Sequence, residues 1–265
     1  MLKLSRYRFY ASLRLRKLAV MRQFILLFIL LFVFSCGEPE RRFSGQTADT
    51  IAPAPGPGRT SEHQRGDRPD KRNKSEFCQQ EEFAGHSRAV CKVNIAKAQT
   101  ESFASLDVFW NSLPGDKEMS NHNPRIKDDS AFGRVKEEMR NVRIKKTWLL
   151  AVKREDDGDF HLIIGNKPSA KSDILFNAEI SGLPETSSGS YDQLKKVRDY
   201  FKAYFNQHTC FHNYKKFYDE PKEISISGSL FYDIEHTPPG TVGPKDLKTA
   251  TAWEIHPVTE IVFLK

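Results

Sequence analysis

The second half of the chain carries five strand-like segments and one amphipathic helix, in an order that few folds share. Three segments with alternating apolar residues come first, and Asp157-Gly158 joins the first two as a typical hairpin turn. An apolar stripe at helical spacing follows Ser190, which suits an N-cap, and two more strands follow the helix. This is the order of the OB-fold. The sequence therefore predicts a mainly β protein, an OB-fold-like five-stranded barrel over residues 142–265 with one helix between strands 3 and 4.

Four motifs within these segments carry a family resemblance: EDDGDFHLII, AEI with a following proline, GSLFYDIEH and WEIHPV. In this order they resemble an uncharacterised family of bacterial secreted OB-fold-like domains, over about Arg134 to Phe263. The chain departs from the pattern after His236, where TPPGTVGPKDLKTAT is charged and a short neutral hairpin is expected. The resemblance implies a fold and an exported domain, and it implies no reaction.

Residues 76–141 are predicted to form an N-terminal extension that packs on the barrel. Their pattern is less regular, although ESFASLDVFWNSL has helical periodicity. Extension and barrel together make about 190 residues, which is enough for one domain with its own core.

The first 35 residues have the organisation of a secretory signal. Basic residues precede an uncharged apolar run from Phe24 to Phe34, which is far shorter than the roughly 20 residues needed to span a bilayer. Ser35-Cys36-Gly37 then resembles the lipobox of bacterial lipoproteins, whose cysteine receives a diacylglycerol and becomes the mature N-terminus. The sequence predicts a lipoprotein signal peptide over 1–35, with Met21 as an alternative start, and lipidation at Cys36. The protein would then be exported and lipid-anchored to a bacterial membrane, facing the periplasm or the cell surface.

Residues 36–75 are rich in Pro, Gly and charged residues and are predicted to be a disordered tether. The formal net charge of +7 lies in the leader and this tether, which carry 15 Lys and Arg against 6 Asp and Glu. The other 190 residues carry 26 basic against 28 acidic residues. A nucleic-acid-binding domain normally has its own basic surface, so this composition argues against nucleic acid. The expected partners are the membrane, through the lipid, and a glycan, peptide or protein.

Three cysteines are left once Cys36 is assigned to the lipid. An oxidising envelope permits disulfides, and a bond between Cys78 and Cys91 would close a short local loop. The sequence predicts that pair and leaves Cys210 over.

Strand alternation places several polar residues on common faces. Asp159 shares a face with His161, and Glu254 shares one with His256. Imidazole and carboxylate groups suit a divalent metal, which is the candidate cofactor, and a metal with an open position activates water. A metal-free histidine base or a purely structural polar network are the alternatives, so no catalytic residue is assigned. The candidate ligand or metal residues are Asp159, His161, Glu179, Asp233, His236, Glu254 and His256.

Four aromatic residues form a second candidate site. Exposed rings on OB-folds stack on bases or sugars, so Trp148, Tyr232 and Trp253, with Phe231 beside them, are candidate stacking residues. The alternative is that these rings belong to the core.

The sequence predicts the first of the following three functions and leaves the other two as alternatives. The first is a membrane-tethered binding or envelope-associated module. The second is a metal-dependent hydrolase, of nuclease or phosphodiesterase type, that uses the His, Asp and Glu cluster. The third is a purely structural envelope protein. A hydrolase needs the cluster at a cleft and a binding module needs exposed aromatics, whereas a structural protein needs neither.

Overall fold

The computed structural model describes residues 74–169, 171–237 and 242–264. The predicted signal peptide, Cys36 and nearly all of the predicted tether lie outside the described residues. Within the described ranges, no helix has the length and apolar character that crossing a membrane requires.

The described chain is mostly β-structure with short helices. In chain order the elements are α1 (Lys74–Gln79), α2 (Ala89–Lys92), β1 (Thr100–Phe103), α3 (Leu106–Trp110), α4 (Asp116–Ser120), β2 (Asn141–Arg154), β3 (Phe160–Gly165), β4 (Leu175–Ile180), α5 (Tyr191–Tyr204), β5 (Lys215–Lys216), β6 (Lys222–Tyr232) and β7 (Trp253–Phe263), with 3₁₀ turns at Lys136–Glu138 and Ile234–His236.

Five of the strands close into a barrel. The order is β2-β3-β4-β7-β6, and β6 pairs back onto β2. The β4–β7 pairing is parallel and the other four are antiparallel. The long helix α5 connects β4 to β6. This is the strand order of the OB-fold, so the predicted OB-fold-like five-stranded barrel is confirmed.

Two local features explain how the strands turn and bend. Gly158 follows Asp157 in the β2–β3 turn and has a φ of 93°, a left-handed conformation that glycine adopts without steric cost. Gly228 lies at a register shift between β6 and β7, and a glycine inside a strand often marks such a bulge.

The extension adds a strand that the sequence pattern did not predict. Thr100–Phe103 pairs in parallel with the first residues of β2, and only Leu106–Trp110 is helical. The helical periodicity over residues 101–113 was therefore misleading in its first part, because pairing with the free edge of β2 overrides the local pattern.

The barrel core contains two of the three predicted stacking residues, so that prediction is wrong for both. Tyr232 and Trp253 are buried, with ring centroids 5.3 Å apart. The Trp253 indole N–H donates to the carbonyl of Pro114 over 2.9 Å, which satisfies its polar atom inside the core. Phe231 is buried as well. Trp148 is half-buried, and the Lys146 ammonium lies 5.6 Å from the centroid of the Trp148 ring.

The disulfide differs from the predicted one. Cys78 is bonded to Cys210, with Cα atoms 5.0 Å apart, and Cys91 is a buried free thiol. Cys78 lies in α1, and Phe77 beside it stacks on His212 at a centroid distance of 4.2 Å. Packing of α1 on the segment after α5 thus selects the distant partner, and the predicted Cys78–Cys91 pair is wrong.

Candidate functional site

The seven predicted polar residues come together in one cluster on the outer face of the barrel wall. On β3, Phe160 and Leu162 point into the core, so His161 points outward. His161 pairs with Glu179 of β4, and Asn177 of β4 pairs with Glu254 of β7. Each of the four motifs that carry the family resemblance contributes at least one residue to this cluster.

This outer face is buried although it faces away from the barrel core. A second, smaller apolar group covers part of it, and α2 of the extension covers another part. That group consists of Leu150, Ala151, Ile163, Leu175, Val242 and Leu247. The polar cluster is therefore an enclosed site and not a solvated strand face.

The inner triad consists of Asp159, Glu179 and His256, all at most 1 % exposed. His256 Nδ1 lies 3.1 Å from Glu179 Oε2, and His256 Nε2 lies 3.3 Å from Asp159 Oδ2. The other carboxylate oxygen of Asp159 accepts a 2.6 Å hydrogen bond from the amide of Gly182.

The outer triad consists of Asp233, His236 and Glu254. His236 Nδ1 lies 3.3 Å from Asp233 Oδ2 and 3.2 Å from Glu254 Oε1. The 3₁₀ turn after β6 places this histidine, and the amide of Glu235 fixes Asp233 by donating to its Oδ1 over 2.8 Å. The His236 side chain is 30 % exposed, so the outer triad reaches solvent.

Two further side chains connect the triads. The Asn177 amide donates to Glu179 Oε1 over 2.6 Å and to Glu254 Oε1 over 2.9 Å, so it links a carboxylate of each triad. His161 Nε2 lies 2.8 Å from Glu179 Oε1, and its Nδ1 lies 3.4 Å from Glu155. The seven predicted residues and Asn177 therefore form one continuous network.

A cleft of about 530 Å³ opens over the outer triad. His161, Asp233 and His236 line it from the cluster, and Tyr214 and Gly243 line it from the covering loops. The inner triad does not line this cleft. Access from solvent to the cluster therefore runs through the outer triad and His161.

Lys92 is the buried cation of the site. Its ammonium lies 3.6 Å from Asp233 Oδ2, and it lines the cleft. The extension holds it there, because the backbone carbonyl of Lys92 accepts a 2.6 Å hydrogen bond from the Ser181 hydroxyl. Burial alone lowers the pKa of Lys92, but the carboxylates led by Asp233 raise it well above its usual range.

The histidines of the cluster hold protons strongly. Burial alone would lower each pKa, but the neighbouring carboxylates reverse this effect. Glu179 raises the pKa of His256 to about 9 and that of His161 to about 10. Glu254 raises the pKa of His236 to about 9. Near neutral pH the metal-free imidazoles are therefore protonated and balance the carboxylates.

The buried carboxyl groups respond in opposite directions. Burial and the charge of Glu254 raise the pKa of Glu179. Burial acts the same way on Glu254, but the neighbouring imidazoles of His236 and His256 bring its pKa well below the usual range. Burial raises the pKa of Asp157, at the edge of the cleft, to about 7.

Several atoms of the cluster are close to one another without hydrogen bonding. They are fully buried and have no hydrogen-bond partner, which is uncommon for buried polar groups. Their donor set, imidazole nitrogen with carboxylate oxygen, suits zinc, manganese or iron, and each triad could hold one divalent ion. These atoms are Asp159 Oδ2, Glu179 Oε2, Asp233 Oδ2, Glu254 Oε2, and Nδ1 and Nε2 of His256.

A third group of metal-ligand residues consists of Cys78, Cys210 and His212. Both sulfurs are in the disulfide, and a disulfide sulfur is not the thiolate that binds metals. This group is therefore not a metal site in the oxidised protein.

Sequence reasoning missed Asn177 and Lys92. Alternation could have indicated Asn177, because it lies two residues before Glu179 on the same strand face. No local pattern indicates Lys92, because long-range packing of α2 brings it to the cleft.

Comparison of the chain with protein-family models, with curated proteins and with solved structures finds no match. Functional interpretation therefore depends on the geometry and chemistry of the cluster.

Proposed function

We propose that the domain is a metal-dependent hydrolase of small phosphoesters, with its catalytic ion in the outer triad. The observation that carries this proposal is the convergence of Asp233, His236 and Glu254 on one point beside a cleft, which Asp233 and His236 line. A catalytic metal site needs three protein ligands and a position open to water or substrate. The outer triad supplies the ligands and the cleft supplies the open side.

Lys92 favours an anionic substrate. Its ammonium lies beside the outer triad, where it would stabilise the additional negative charge of a phosphoryl group in the transition state. A metal ion at the triad would supply an activated water at neutral pH. A neutral ester would make no comparable use of a buried ammonium.

The cleft favours a small substrate over a polynucleotide. Its volume of about 530 Å³ is that of a small-molecule pocket. Glu155, Asp156, Asp157 and Glu235 line its sides and would repel the phosphates of an extended nucleic acid. A phosphomonoester or a short phosphodiester could still reach the metal.

The domain would work outside the cytoplasm. The apolar run ending at Phe34 and the lipobox-like Cys36 support an exported, lipid-anchored protein. The charged, Pro- and Gly-rich residues 37–73 would give the barrel reach away from the membrane surface.

The experiment measures metal content and hydrolysis together on the full chain. Bis-p-nitrophenyl phosphate and p-nitrophenyl phosphate are the substrates, with zinc or manganese added and with chelator. We expect turnover that the chelator abolishes and that added metal restores. The Asp233→Asn and His236→Ala variants should both lose this turnover.

The matched control is His208→Ala, which removes an exposed histidine outside the cluster and should behave as wild type. Metal bound in the outer triad without turnover of either phosphoester would contradict the hydrolase and favour a metal-holding binding module. The absence of bound metal would favour a structural network.

A further inference from the structure

The Glu254 carboxylate lies between two histidines of different triads. Its Oε1 lies 3.2 Å from His236 Nδ1, and its Oε2 lies 3.7 Å from His256 Nδ1. A carboxylate that presents one oxygen to each of two ligand sets is suited to bridge the two ions of a two-metal site. Glu254 belongs to the outer triad, and its second oxygen faces the histidine of the inner triad, so the two triads are neighbours.

Three atoms meet at the inner position. His256 Nδ1 lies 3.1 Å from Glu179 Oε2 and faces Glu254 Oε2. All three atoms are fully buried and have no hydrogen-bond partner. Buried polar atoms without hydrogen bonds are costly, and a cation among them would satisfy all three at once.

Asp159 orients the ring for this role. Its Oδ2 lies 3.3 Å from His256 Nε2, on the side of the imidazole away from Glu179, and its Oδ1 is held by the Gly182 amide. A carboxylate at one ring nitrogen commonly fixes a histidine whose other nitrogen binds a metal. His256 Nδ1 is then the ligand atom.

The charge distribution also favours a cation at the inner position. Among the described residues, the ion pairs of Asp159 and Glu179 are with histidines. Lys92, the buried ammonium of the site, lies at Asp233 and so belongs to the outer side. An ion in the outer triad alone would leave the inner carboxylates in direct ion pairs with histidines only.

We propose that the cluster is a two-cation centre, in which a second divalent ion is held by His256 and Glu179 and is bridged by Glu254 to the outer ion. This inference rests on the proposed function, because the outer ion is the one assigned there to catalysis. The ligands are imidazole and carboxylate, so the second ion is of the zinc, manganese or iron class. Since its ligands are buried, it fixes Glu254 and does not meet substrate directly.

The test is the metal stoichiometry of the full chain loaded with Mn²⁺, together with its electron paramagnetic resonance spectrum. We expect two ions per chain and the spectrum of an exchange-coupled pair. His236→Ala should lose the outer ion, and Glu179→Gln should lose the inner one, each leaving about one ion and an uncoupled Mn²⁺ signal. His208→Ala should retain both.

Each other outcome separates the two proposals. One ion with an uncoupled signal in the wild type would overturn the two-cation centre and leave the hydrolase intact. No bound ion would overturn both. Two ions that Glu179→Gln and His256→Ala both retain would place the second ion elsewhere and overturn the inference. If His256→Ala fails to fold, the wild-type spectrum and the number of ions bound by Glu179→Gln are sufficient to test the inference.

Discussion

His161 lies opposite Glu179 across the β3–β4 pair, and its Nε2 is 2.8 Å from Glu179 Oε1. His161 lines the cleft, whereas Glu179 is buried behind it. The pair therefore connects the accessible side of the cluster to the inner triad, and in the proposed metal centre His161 would act through Glu179.

His161→Gln should weaken metal binding without removing it. The substitution removes the imidazole that orients Glu179, and loss of such a supporting group costs about 10–100-fold in metal affinity. Competition with a chromogenic chelator measures the change. An affinity equal to that of wild type would show that His161 does not position Glu179.

Lys92→Met should lower the turnover of phosphoesters by about 100-fold, because it removes a preorganised positive charge beside the reacting group. Metal content should stay at the wild-type level, since Lys92 donates no ligand atom. The control is Lys153→Met, at the cleft edge, where the ammonium pairs with Glu155 at 2.7 Å. An equal loss of phosphoester turnover in the two lysine variants would contradict the role assigned to Lys92.

The chelated protein should become less stable as the pH rises from about 6.5 to about 10. His161, His236 and His256 have pKa values raised to about 10, 9 and 9, above the value of about 6.5 in an unfolded chain. Their contribution to stability is fully present below the unfolded pKa and is lost as the pH passes the folded values. The raised pKa of Asp157 acts in the same direction, but its effect falls between about pH 4 and about pH 7, so it is nearly complete before this range begins.

Melting temperatures of the chelated and the zinc-loaded protein across this range check the sign. With zinc bound, the ligand imidazoles of His236 and His256 have already lost the proton that zinc replaces, so the decline should be reduced to the part that His161 contributes. A melting temperature of the chelated protein that stays constant or increases would contradict the protonated cluster.

Cys78→Ser should lower the free energy of unfolding by about 2–5 kcal/mol, because the disulfide with Cys210 closes a loop of 132 residues. Cys91→Ala is the matched control, since that thiol is buried and free. Reduction should lower the free energy of unfolding of the wild type to about that of Cys78→Ser. The difference in this free energy between wild type and Cys91→Ala should not change on reduction. Unchanged wild-type stability after reduction would contradict the Cys78–Cys210 bond.

Local patterns were sufficient to predict the barrel and its polar cluster. Alternation in DFHLIIG fixes the face of His161, and alternation in WEIHPV places Glu254 beside His256 on their strand. The OB-fold order then brings β3, β4 and β7 side by side, so their outward residues meet.

Features that depend on long-range packing were not predictable in this way. The spacing of Cys78 and Cys91 suggested a local loop, yet α1 packs on the segment that carries Cys210. The sequence left open whether Tyr232 and Trp253 face the core or solvent, because the same ring can do either according to strand register. The position of Lys92 depends on how the extension folds over the barrel.

The most direct test of the metal centre is the X-ray absorption spectrum of zinc bound to the full chain. The cluster predicts a first shell of nitrogen and oxygen with imidazole scattering, which His236→Ala and Glu179→Gln both alter. A first shell that contains sulfur, or the absence of bound zinc, would contradict a metal centre made of histidines and carboxylates.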